Sequence, residues 1–144
     1  MYCTRKLTEQ VWWVGGSDRR LALFENLFPI TRGVSYNSYL ILDEQTAVVD
    51  TVDSSISRQF LENVLHTLDG RPLDYLVINH MEPDHCASIE TLLLRFPTLK
   101  LVGNAKTFAF MGQFYDFPLD GRTVTVMPST PQTSSMARKA VLNR

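Results

Sequence analysis

Four side chains with strong affinity for metal ions fall within the six residues His80-Met81-Glu82-Pro83-Asp84-His85. Two imidazoles and two carboxylates this close together cannot all bind one ion easily, so a division between two ions is the more natural arrangement. His80 and Glu82, two apart on extended backbone, project to one side. Asp84 and His85 open the next element and can face a second position. A nitrogen and oxygen donor set without thiolate suits iron or manganese better than a structural zinc site. Two adjacent ions can bind both ends of a small diatomic or clamp an attacking and a leaving oxygen.

Each residue also has a plainer reading. Asp84 could cap the following helix, His80 could be a hydrogen-bonded core histidine, and Glu82 and His85 could be solvated. Four such residues in one turn favour a metal site over that combination. Cys86 could in principle ligate, but reads as a small buried residue. His66 lies near the end of a helix, where an imidazole favours the C-terminal dipole, and reads as structural.

The elements around the motif must hold it. Leu73–Ile78 is rich in β-branched and aromatic residues and reads as a buried strand. Ile89, Leu92, Leu93 and Phe96 recur at helical spacing until Pro97. Upstream, Val11–Val14 reads as a short strand before Gly15-Gly16, whereas residues 17–32 give no clear pattern. Val34–Leu42 reads as one strand, paired through the turn 43–46 with a strand over 47–52. Asp53 or Ser54 can cap a helix whose apolar face is Ile56, Phe60, Leu61, Val64, Leu65 and Leu68, with Gly70 placed as its C-cap. Leu99–Val102 is a further strand, and Asn104 caps a helix carrying Phe108, Met111 and Tyr115 on one side. Arg122–Met127 reads as an edge strand. Strands alternating with helices imply a sheet with helices packed outside it, an α/β (α+β) fold.

The chain has 144 residues, 44% hydrophobic and 20% charged, with a formal net charge of −1. That size supports one domain, and the charge argues against nucleic-acid or anionic-membrane binding. No apolar run approaches a membrane span, and no signal segment follows Met1. The two cysteines, Cys3 and Cys86, form no disulfide framework, which fits a reducing cytoplasm. Residues 128–144 contain no acidic and no aromatic residue and are crowded with Ser, Thr and Pro, so an irregular or disordered tail is expected there.

His80-x-Glu82-x-Asp84-His85 resembles the metal motif of the flavodiiron proteins, a branch of the metallo-β-lactamase-like fold. The wider superfamily carries His-x-His-x-Asp-His and binds zinc, and a glutamate in the second place marks the di-iron branch. Gly33, Tyr36–Ile41, Asp50–Val52 and Tyr75–His80 resemble family segments in the same order. The resemblance covers roughly residues 5–127. It implies an αββα sandwich, here its first half only, as a partial di-iron domain over residues 1–127 with 128–144 outside the match. By position, His80 and Glu82 would bind the first iron, Asp84 and His85 the second, and Asp50 would support the loop that carries them.

The implied activity is reduction of dioxygen to water, of nitric oxide to nitrous oxide, or of both. Electrons would come from FMN in a flavodoxin-like domain, supplied by a redox donor such as rubredoxin. The family's later metal ligands include two further histidines, and this sequence has only His66, His80 and His85. A truncated product, inactive by itself, is therefore expected, pairing as a homo-oligomer or with the missing C-terminal half. The other readings are a metallohydrolase of the same superfamily and a non-catalytic interaction module.

Overall fold

The computed structural model describes residues 2–24 and 27–127. The expected tail at 128–144, and the boundary drawn there, lie outside them. The chain begins with β1 (Arg5–Lys6), β2 (Val11–Trp13) and β3 (Gly16–Asp18), then β4 (Leu23–Phe24), β5 (Phe28–Pro29) and β6 (Val34–Tyr36). Next come β7 (Tyr39–Leu42), β8 (Thr46–Val49), a 3-10 turn (Ser54–Ile56) and α1 (Ser57–Leu68). Then follow β9 (Tyr75–Val77), α2 (Pro83–Cys86), α3 (Ile89–Arg95), β10 (Lys100–Gly103), α4 (Ala105–Phe114) and β11 (Thr123–Thr125).

Seven strands form one mixed sheet in the order β1-β2-β7-β8-β9-β10-β11. The expected hairpin is present, with β7 and β8 antiparallel and Leu42 opposite Thr46. From β8 onward every strand is parallel to its predecessor and steps the same way across the sheet. Right-handed crossovers that always step in one direction put all their helices on one face. The burial agrees: Leu40, Val48, Leu76 and Leu101, neighbours in register, share one core cluster with Phe60 and Val64 of α1, Ile89 and Leu92 of α3, and Met111 of α4. On the other face Trp13, Tyr39, Val49 and Val77 stay half-buried, Val102 is buried and Val124 is exposed. One sheet with helices on one side is the expected half of an αββα sandwich.

The Asn104 cap forms as expected, whereas Asp53 caps the 3-10 turn that leads into α1, and α1 itself starts after Ile56 with no side-chain cap. Asp53 accepts a hydrogen bond from Ser55 N at 2.8 Å, and Asn104 accepts one from Thr107 N at 2.9 Å; each satisfies an amide the first turn leaves free. At the end of α1 the left-handed cap is Asp69 (φ 48°), one residue before Gly70, which also has positive φ. Among the described residues β11 is an edge strand, as expected.

Two expectations need correction. Val34–Leu42 is two strands in different sheets, because β6 pairs with β3 in a separate two-stranded ribbon while β7 joins the main sheet. The chain turns at Asn37-Ser38, where it passes so close to Gly15 that a Cβ there would lie 2.0 Å from Tyr36 O. Glycine permits that approach, and both chains change sheet at the same corner. Likewise, the helical pattern after the motif is not one helix but two, α2 and α3, parted at Ala87-Ser88. Ser88 is fully buried, and its hydroxyl donates to Val52 O at 3.0 Å. The 17–32 stretch holds β3, β4 and β5, each of two or three residues and too short to show a period.

Candidate metal centre

The motif occupies the turn from β9 into α2. Glu82 is the N-cap residue of α2, in extended conformation, and Pro83 takes the first helical position, where its missing N–H costs nothing. Asp84 is therefore inside the helix, and the plainer reading of it as the cap does not hold. His80 Nε2 lies 3.2 Å from Glu82 Oε2, and His85 Nε2 lies 3.5 Å from Asp84 Oδ2. Both expected pairs are adjacent. In addition, donor atoms of His80, Glu82 and Asp84 all lie within 4.8 Å of one another, so Asp84 reaches across the expected division. The rings of His80 and His85 meet edge to face with centroids 5.5 Å apart.

The cluster has an open and a recessed side. The side chains of His80 and Glu82 are 48% and 60% exposed, those of His85 and Asp84 only 26% and 22%. On the recessed side Asp84 Oδ1 and His85 Nδ1 are buried with no hydrogen-bond partner among the described residues. Buried polar atoms are rarely left so, because each forfeits its hydration without replacement. A carboxylate oxygen and an imidazole nitrogen left free beside further N and O donors suit a hard or borderline cation. The donor set fits a cation such as iron, with His80, Glu82 and Asp84 grouped and His85 outside that group, against Asp84.

The loop is held at its start by Asp50. This residue has φ 54°, a left-handed conformation that aspartate adopts more readily than most residues. Its Oδ1 accepts hydrogen bonds from Asn79 N at 2.7 Å and His80 N at 3.3 Å. Behind it, buried Ser38 donates through Oγ to Asp50 O at 2.9 Å.

Cys86 is buried, its thiol pKa raised by desolvation, and Tyr115 donates its hydroxyl to Cys86 O at 2.8 Å. The reading of Cys86 as a packed thiol fits this. His66 sits exposed in the last turn of α1, stacked on Tyr2 at 4.0 Å, far in role from the cluster.

Sequence reasoning missed the groove beside the open edge. It has a volume of about 410 Å³ and is lined by Asn79–Glu82 and, along the whole of α4 from its cap, by Asn104, Lys106, Thr107, Phe110 and Phe114. The available signal was the apolar pair Phe110 and Phe114, four apart on α4 and left exposed while Met111 between them is buried. Asn63 was also missed; it is fully buried and ties the N-terminal segment down, accepting from Cys3 N and donating to Val14 O and Gly15 O. Among the described residues, no helix is long and apolar enough to cross a membrane.

Comparison with known proteins agrees with this architecture. Residues 34–143 match the family model described as ODP family beta lactamase. The anaerobic nitric oxide reductase flavorubredoxin of Aliivibrio fischeri is 41% identical over 95 residues, which are 65% of this chain and 19% of that protein. Among solved structures, the flavodiiron protein from Giardia intestinalis superposes with a TM-score of 0.78 at 26% identity, covering 88% of this chain and 31% of that one. The rubredoxin oxygen:oxidoreductase of Desulfovibrio gigas gives 0.74 at 25% identity, covering 86% and 31%. The chain thus spans about a fifth of the curated relative and a third of each solved one. With a model match over most of its length, and similarity in sequence and structure to flavodiiron proteins, the chain belongs to the ODP family beta lactamases.

Proposed function

We propose that this chain is the first half of the metal domain of a flavodiiron oxidoreductase that reduces dioxygen, nitric oxide or both. The carrying observation is the cluster itself: His80, Glu82 and Asp84 with donor atoms within 4.8 Å, and His85 beside Asp84. His80 and Glu82 would hold one iron, Asp84 and His85 the other. Asp84 lies near both pairs. Asp50 would keep His80 in place through the two amides it binds.

Iron held by these residues would supply redox equivalents for the reduction of a small diatomic. The residues divide the remaining work. The recessed pair Asp84 and His85 anchors. The exposed pair His80 and Glu82 faces the groove, the side from which a diatomic can enter. FMN and a donor such as rubredoxin would deliver electrons from outside these residues; the similar proteins include a flavorubredoxin and a rubredoxin oxygen:oxidoreductase. The half-buried sheet face would pack against the second half of the sandwich, within a homo-oligomer. We place the protein in the cytoplasm, where free thiols such as Cys3 and Cys86 persist. These 144 residues alone are not expected to turn over, since their three histidines include only two in the cluster.

The test is metal content after anaerobic purification with ferrous iron. About two irons per chain are expected, lost in His80→Ala. A folded wild-type chain that retains none refutes the reading.

A further inference from the structure

The segment that follows β8 grips both ends of the ligand-bearing turn. Asp50 holds its start. Its end is held by Thr51, which is fully buried. The Thr51 backbone N–H donates to His85 O at 2.8 Å, and its hydroxyl donates to the same oxygen at 2.8 Å. The hydroxyl in turn accepts from Ser88 N at 3.3 Å.

These contacts matter because α2 cannot hold itself. It has four residues, and so short a helix is not stable without tertiary support. Its position comes from what its backbone binds elsewhere. Two donors converging on one carbonyl fix the peptide that leaves His85, and with it the direction in which the imidazole departs. A β-branched side chain is stiff about χ1, so the Thr51 hydroxyl is itself held in one orientation.

We propose that Thr51 is a positioning residue for His85, setting the imidazole where a metal ion needs it. The inference rests on the reading of His85 as a ligand. A residue that only satisfied a buried carbonyl would stabilise the fold without tuning the site. The two roles separate experimentally.

The experiment is anaerobic titration of the full chain with cobalt(II) alone, read by its ligand-field absorption, for wild type, Thr51→Val, Thr51→Ser and Ser88→Ala. Thr51→Val should weaken cobalt binding about 10- to 100-fold, the range seen when groups that orient a ligand are removed. Thr51→Ser, which keeps the hydroxyl, should return affinity to within about threefold of wild type. Ser88→Ala deletes a neighbouring buried hydroxyl that bonds Val52 rather than the ligand residue, and should leave affinity and spectrum unchanged. If Thr51→Val folds poorly, Thr51→Ala is read in the same way.

Wild-type affinity in the folded Thr51 variant, equal weakening in Ser88→Ala, or no rescue by serine overturns the proposal. A wild-type chain that binds no cobalt overturns the metal reading, and this inference with it.

Discussion

Replacing Asp50 by asparagine, glycine and alanine should cost stability in that order. Two contributions are removed separately. The first is conformational: at φ 54° an alanine meets the Cβ–carbonyl clash of the left-handed region, about 1 kcal/mol, which glycine avoids and asparagine tolerates. The second is the hydrogen bonding of the carboxylate: Oδ1 accepts a pair from Asn79 N and His80 N, and Oδ2 accepts a long, exposed bond from Asn79 Nδ2 at 3.4 Å that water can replace. Both of those residues are exposed, so the freed amides find water. The loss is then about 1 kcal/mol for the pair, below the penalty for buried orphans. Asp50→Ala should therefore cost about 2 kcal/mol, Asp50→Gly about 1 kcal/mol plus a small unfolded-state entropy, and Asp50→Asn less than about 1 kcal/mol, because its carbonyl oxygen still accepts. The assay is urea unfolding of the metal-free chain at neutral pH by circular dichroism, comparing midpoints at constant slope. Equal costs for alanine and glycine would refute the conformational argument. A cost for asparagine equal to that for alanine would show that charge, not shape and acceptor position, holds the loop.

The buried clamp at Asn63 predicts that Asn63→Leu loses about 3 kcal/mol, since the carbonyls of Val14 and Gly15 lose a donor in the interior; a loss under about 1 kcal/mol in the same urea assay would contradict it. The thiols should differ in the native state. Exposed Cys3 should react quickly with a disulfide reagent and buried Cys86 only after denaturation, and two fast thiols would contradict the packing. Burial raises the Cys86 pKa above the ordinary 9.0, so the unfolded thiol ionises first and stability should fall as pH rises past that value. Cys86→Ala should blunt that alkaline loss in a pH series of unfolding midpoints.

What could be read in the sequence was what local pattern dictates. The apolar face of α1, the Asn104 cap and the β7–β8 hairpin each follow from side chains a few residues apart, and each forms as expected. The ligand turn was legible because four chemically unusual residues are contiguous. The break at Ala87-Ser88 was not, because it depends on a serine bonding a carbonyl 36 residues away. Nor was the split at Asn37-Ser38, which needs Gly15 pressed against Tyr36 O. Asn63 left one trace: a polar residue three positions after Phe60, on the side of α1 that faces the core. Thr51 left none in local pattern, since its role exists only once His85 is folded beside it.

The position of the cluster follows from strand pairing. β8 and β9 are parallel, with Val49 opposite Val77, so both chains leave the sheet at the same edge. Parallel strands gather ligand sites at their carboxyl ends, because the chains emerging there are unpaired and free to turn toward each other. Here the residue after β8 is Asp50, and the second residue after β9 is Asn79, whose amide Asp50 binds. One residue further on each chain are Thr51, which reaches His85, and His80, which begins the donor set. A register slip of one between these strands would turn the core row of Val48 and Leu76 outward and separate Asp50 from Asn79 at once. The apolar core that fixes the register therefore also fixes the candidate metal centre.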